Sequence, residues 1–195
     1  MPASAEEDSM GFQLWINLQA KNKLMDPQYQ EYKAEKIPVV DHHAARVKVI
    51  SGEWEGVKGP ILARTPAYYF DVELSKNGYF DLDIPTTWNA FIFVFEGNLV
   101  YNGSTEVHLE HVCVLGHQDT THKFVGDAAR FVLVAGEPIN EPIAKYGPIV
   151  MNTQAEIQKG FQDYQQGTNG FEGAHEWVSK IRLLAKGKTP SELGM

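Results

Sequence analysis

Seven histidines are the side chains best suited to acid–base work or metal ligation, and six of them stand in three groups. His108-Leu109-Glu110-His111 has the look of a chelating pair, but it falls in a strand expected over Glu106 to Leu115. Residues three apart on a strand point to opposite faces, so these imidazoles read as surface or edge histidines. His117 and His122 are five apart, again of opposite parity, although a loop carrying Asp119 between them could converge them into a metal or polar pocket. They are the only two site candidates. Asp41-His42-His43 follows an extended connector and reads as a solvated turn. No G-x-S-x-G, P-loop, H-E-x-x-H or C-x-x-C motif occurs, so spacing alone supplies no catalytic residue.

The bulk properties narrow the function classes. Cys113 is the single cysteine and sits in an apolar run, Val112-Cys113-Val114-Leu115, so an intramolecular disulfide is impossible. A reducing compartment, cytoplasm or nucleus, is expected. The net charge of −8 argues against direct binding of nucleic acid, which requires clustered Lys and Arg, though not against binding a protein that holds DNA. No apolar run reaches the roughly 18 residues of a membrane span, so no membrane is expected. The first ten residues carry three acids and no base, unlike a secretory or transit peptide. At 195 residues the chain can bury a full core without a staple.

The elements expected to hold these side chains are strands first and helices last. Strands are expected at Phe12 to Leu18, Arg46 to Ser51, Ile61 to Arg64, Ala67 to Leu74, Phe80 to Ile84, Ala90 to Phe95, Asn98 to Tyr101, Glu106 to Leu115 and Arg130 to Ala135. Turn residues separate them, as at Lys76-Asn77-Gly78 and Asn102-Gly103. Many short, evenly spaced strands without βαβ alternation indicate an antiparallel sandwich or barrel. Asp26 to Pro38 reads as an extended connector. Thr153-Gln154-Ala155-Glu156 has capping-box spacing, followed by the apolar stripe Ile157, Phe161 and Tyr164, with Gly167 to close the helix. A second helix is expected over roughly Gly173 to Leu184.

A set of ordered blocks adds to this reading. Gly11-Phe12-Gln13-Leu14-Trp15-Ile16-Asn17-Leu18 resembles a signature of the pirin family. The resemblance runs on through Tyr29-Gln30-Glu31, Ile37-Pro38, Arg64-Thr65-Pro66, Ala135-Gly136-Glu137-Pro138 and Glu141-Pro142. It closes with Gly147-Pro148-Ile149-Val150-Met151-Asn152-Thr153 and Asn169-Gly170-Phe171-Glu172. Resemblance to pirins implies a bicupin, two β-barrels in one chain, with iron or another divalent metal held in the N-terminal barrel by three histidines and a glutamate. Here Met1-Pro2 and the acids after it match the stretch just past the last ligand, so all four family ligands are expected upstream of Met1. Residues 1–36 then correspond to the remnant of the N-terminal cupin and the connector, 37–150 to the C-terminal cupin barrel, and 151–195 to a helical extension.

The expected fold is therefore an all-β antiparallel cupin barrel, jelly-roll-like, with C-terminal helices. The usual cupin ligand positions near Pro85-Thr86-Thr87-Trp88-Asn89-Ala90 hold no histidine or carboxylate, and the second motif, around Leu115 to Asp119, offers one imidazole. No cofactor is expected in this chain. The resemblance implies two functions: a metal-dependent oxygenase like quercetin 2,3-dioxygenase, of which this would be the non-catalytic half, or a nuclear co-regulator of transcription-factor proteins. The expected partners are the N-terminal cupin, or a second copy of the chain pairing through Phe12 to Leu18.

Overall fold

The computed structural model describes residues 10–179. Residues 21–140 form one compact unit, and residues 10–20 with 141–179 belong to a second. No helix among the described residues is long and apolar enough to cross a membrane.

The first unit is built almost wholly of antiparallel strands, preceded by one short helix, α1 (Ala20–Lys23). A hairpin of β1 (Val39–His42) and β2 (Ala45–Ser51) leads to a small arm, β3 (Glu53–Trp54) and β4 (Val57–Lys58). The long strands β5 (Ala67–Leu74), β6 (Gly78–Asp83) and β7 (Asn89–Glu96) follow. Three short strands come next, β8 (Leu99–Tyr101), β9 (Thr105–Val107) and β10 (Val112–Val114). Last are β11 (Thr121–Gly126) and β12 (Ala129–Gly136). One sheet runs β1-β2-β5-β12-β7-β10 and the other β6-β11-β8-β9.

Both sheets feed one core. Alternate side chains point inward along each strand, so Val47 and Val49 of β2 are buried while Lys48 between them reaches the outer face. Phe70, Phe80, Phe124 and Phe131 are wholly buried, and the last three rings meet with centroids 5.2–6.1 Å apart. Each such burial is worth about 1.5–3 kcal/mol before its entropy cost. On the outer face, Lys48 Nζ of β2 and the Arg130 guanidinium of β12 both donate to Asp71 of β5, at 3.0 Å and 2.7–2.9 Å. Burial pushes the Asp71 carboxyl up, but the hydrogen bonds from Arg130 and Lys48 outweigh it and leave it below its ordinary range. This pair of contacts ties three adjacent strands together. The antiparallel, all-β architecture is the one anticipated, as two facing sheets rather than one closed ladder.

Three strand expectations change. Ile61 to Arg64 is a loop, because Pro60 and Pro66 bracket it and deny the ladder its donors. The Gln30 side chain instead bonds both backbone groups of Leu62. Glu106 to Leu115 is two strands, not one. Glu110 adopts φ 61° and the chain turns at His108–His111, so β9 pairs with β8 in one sheet and β10 with β7 in the other. Phe12 to Leu18 belongs to none of the sheets, and Trp15 is 70% exposed. A strand exists only through its neighbours, which the apolar character of that segment could not supply.

The second unit contains a hairpin, β13 (Ala144–Tyr146) and β14 (Ile149–Met151), and the helix α2 (Gln154–Gln166). The capping box is formed: Glu156 N donates to Thr153 Oγ1 and Thr153 N to Glu156 Oε2, while Gly167 closes the helix at φ 63°. Ile157 is buried and Phe161 meets the Tyr146 ring edge-on at 5.3 Å. The second helix is not formed over residues 173–179, and 180–184 lie outside the described residues. There His175 Nε2 donates to Tyr164 O at 2.8 Å, so this segment folds back to satisfy the end of α2.

Candidate functional site

His122 lies in β11, in alternation with Phe124, so its imidazole points into the core and is only 2% exposed. The opposite register partner of Phe124 is Tyr101, at the end of β8. Its hydroxyl reaches back to His122 Nδ1 at 2.7 Å, and the two rings stack at 5.9 Å. Asn102 then fixes the neighbouring loop: its Nδ2 donates to Asp119 at 3.0 Å and its backbone and side chain bond Lys123 on both sides. Thr121 Oγ1 donates to Asp83 at 2.6 Å.

The electrostatics follow from burial. Desolvation pulls the His122 pKa below its ordinary value, with Asp119 and Asp83 opposing. Burial pushes the Tyr101 hydroxyl up, and Asp119 and Cys113 add to that. His122 is therefore a neutral, hydrogen-bonded imidazole at neutral pH. Burial also raises the Cys113 thiol, which packs against the core and is a poor nucleophile.

His117, the other candidate, goes elsewhere. It is exposed on the loop before β11, and its Nδ1 donates to Thr86 O at 2.8 Å. The structure thus gives His117 and His122 separate partners, one outside and one inside the core. The loop carrying Asp119 between them is present, but His122 itself lies in β11, where Thr121 and Lys123 supply the outward positions of a regular ladder.

Of the remaining pairs, His108/His111 differs from expectation, whereas His42 and His43 are exposed at a turn as read. His108 and His111 stand on a turn, not a strand, so parity does not separate them and their rings lie 5.9 Å apart. His111 Nδ1 donates to Leu109 O at 2.8 Å. His42 and His43 are closer still, with centroids 3.9 Å apart. Among the described residues no three His, Cys, Asp or Glu side chains converge as a metal set.

One apolar recess escaped notice in the sequence. Tyr68 and Trp88, with rings 5.0 Å apart, line a cavity of about 330 Å³ together with Gly52, Ile61, Leu62 and Pro66. Gly52, at φ 91°, lets the chain cross the Tyr68 ring where a Cβ would lie 2.3 Å from it. The recess arises because a strand end, a turn and a loop meet, which no periodicity announces. Arrangements of this kind hold planar apolar groups, and Glu53 and Lys58, paired at 3.6 Å, stand at its rim.

Comparison with known proteins agrees with the architecture. A model of the pirin C-terminal cupin domain matches residues 69–170. The chain is 42% identical to the pirins of Rattus norvegicus and Homo sapiens over 187 residues, covering 93% of itself and 64% of each relative. It is 41% identical to a pirin-like protein of Solanum lycopersicum, covering 87% of itself and 60% of that protein. Among solved structures it is similar to a quercetin 2,3-dioxygenase from Acinetobacter baumannii, at TM-score 0.75 and 31% identity, over 80% of this chain and 56% of that one. The chain spans about 60% of the length of the curated relatives it matches.

Proposed function

The chain belongs to the pirin family, and on that premise we propose that it is the non-catalytic, binding half of a metal-dependent two-barrel protein. In this reading the full-length protein resembles a quercetin 2,3-dioxygenase, and iron or another divalent metal resides in the N-terminal cupin. The N-terminal cupin is the partner this half is built to support, with the protein working in cytoplasm or nucleus.

The observation that carries the reading is how the interior is filled. The space between the two sheets is occupied by Phe70, Phe80, Phe124 and Phe131. The imidazole that points inward, His122, is held by Tyr101. A resident ion in a closed cupin centre asks for three or four converging protein donors, and one engaged imidazole among phenyl rings does not fit that demand. No step of the oxygenase reaction is therefore assigned to residues of this chain.

The test is a spectrophotometric assay of flavonol consumption in air with Fe(II), Ni(II), Cu(II) or Mn(II) supplied. No turnover above the protein-free rate is expected; metal-dependent ring cleavage by this chain would overturn the reading. A second reading, contact with a transcription-factor protein, is favoured by the outer edge of β10, where Val112 and Val114 are 59% and 77% exposed. There, Val112→Lys with Val114→Lys should abolish co-precipitation and leave folding intact.

A further inference from the structure

The β1–β2 hairpin turns through His43 and Ala44, which adopt φ 48° and 60°. Two successive left-handed residues make the tight turn normally given to Asn-Gly, and each non-glycine residue there is strained by about 1–2 kcal/mol. The turn is nevertheless held firmly. Ser75 N donates to Ala44 O at 2.9 Å and Tyr79 N to His43 O at 3.2 Å, so the β5–β6 connection and the start of β6 hold both turn carbonyls.

This rigid tip presents two imidazoles with ring centroids 3.9 Å apart. They line one face of an open concavity of about 490 Å³ with Asp41, Arg46 and Glu73. The two carboxylates outnumber the single guanidinium, which is 3.5 Å from Asp41, so the concavity favours a cation. Two nitrogens sharing one ion at about 2.0–2.1 Å each stand roughly 3 Å apart, a separation that rings this close reach by small side-chain rotations.

We propose that His42 and His43 form a two-imidazole site for a borderline divalent cation of the Cu(II), Ni(II), Zn(II) class, with water completing the coordination shell. Imidazole donors suit these ions, and copper binds most tightly in the series. The site is on the outer surface of the first unit, remote in kind from a closed cupin centre, and does not depend on the binding-half reading. Nearby Trp54 reports on it. The indole is buried, donates to Asp81 O at 3.2 Å, and lies 5.9 Å from the His42 ring, within reach of quenching by a paramagnetic ion.

The experiment is titration of the chain with Cu(II), followed by calorimetry and by tryptophan fluorescence. One saturating ion per chain is expected, with quenching, and weaker binding of Ni(II) and Zn(II). His42→Asn with His43→Asn, in which Asn suits the left-handed turn, should weaken that site at least tenfold. The control pair His108→Asn with His111→Asn should leave it unchanged, and Trp54→Phe should remove most of the quenching while the heat of binding remains. Wild-type affinity in the His42/His43 double variant, loss of the site in the His108/His111 variant, or absence of saturable binding would each overturn the proposal.

Discussion

The barrel interior and the β1–β2 hairpin tip both hold imidazoles, and they use them oppositely. His122 stands among phenyl rings, satisfied by one tyrosine hydroxyl and pushed toward the neutral form by burial. His42 and His43 stand in an open, acidic concavity beside each other. The same side chain is a packing element in one place and an available ligand in the other. What separates the two roles is not the residue type but whether its neighbours leave it any unfilled coordination.

If the interior is a packed core, emptying it must be costly. Phe124→Ala is expected to lower unfolding free energy by about 3–5 kcal/mol in urea titration; a cost near that of a surface change would mean that the sheets do not share this core. Tyr101→Phe sharpens the point. It removes the partner of a buried imidazole and should cost about 1–3 kcal/mol, with the core otherwise retained. A neutral result would mean that His122 has found water or another partner.

Acidification should distinguish the two regions as well. The folded pKa of His122 lies below its unfolded value near 6.5, so the folded state binds fewer protons across that interval. Its contribution is full above about pH 6.5 and is lost as pH falls toward the folded pKa. Urea midpoints between pH 7.5 and 5 should therefore drop in the wild type and drop less in His122→Gln. An equal drop would assign the pH dependence to other groups. At the hairpin tip, His43→Asn should change stability by no more than about 0.5 kcal/mol, because the residue is exposed and its φ suits asparagine.

Much of the fold, though not this contrast, was visible in the sequence, and what was missed has a common cause. Local codes were legible: the alternation of β2 and β5, and the capping box with Gly167 at either end of α2. Strand β11 was overlooked because Thr121, Lys123 and Gly126 give it a loop-like composition, although Thr121, Lys123 and Val125 alternate with inward His122 and Phe124. The corner at Glu110 was hidden because the alternation at Val107 and Leu109 runs on into the apolar Val112 to Leu115, although the two ends serve different sheets. Tyr101 as the partner of His122 depends on a register between strands 21 residues apart. Such pairings are set by the fold, and a single chain read residue by residue carries no signal of them.

Whether the interior between the two sheets holds a metal centre can be tested with the surface pair removed. The His42→Asn, His43→Asn chain is incubated anaerobically with Fe(II), desalted, and assayed for iron and for oxygen-dependent loss of flavonol. Iron well below one ion per chain and no loss of flavonol are predicted. About one retained iron per chain together with flavonol cleavage would contradict the account.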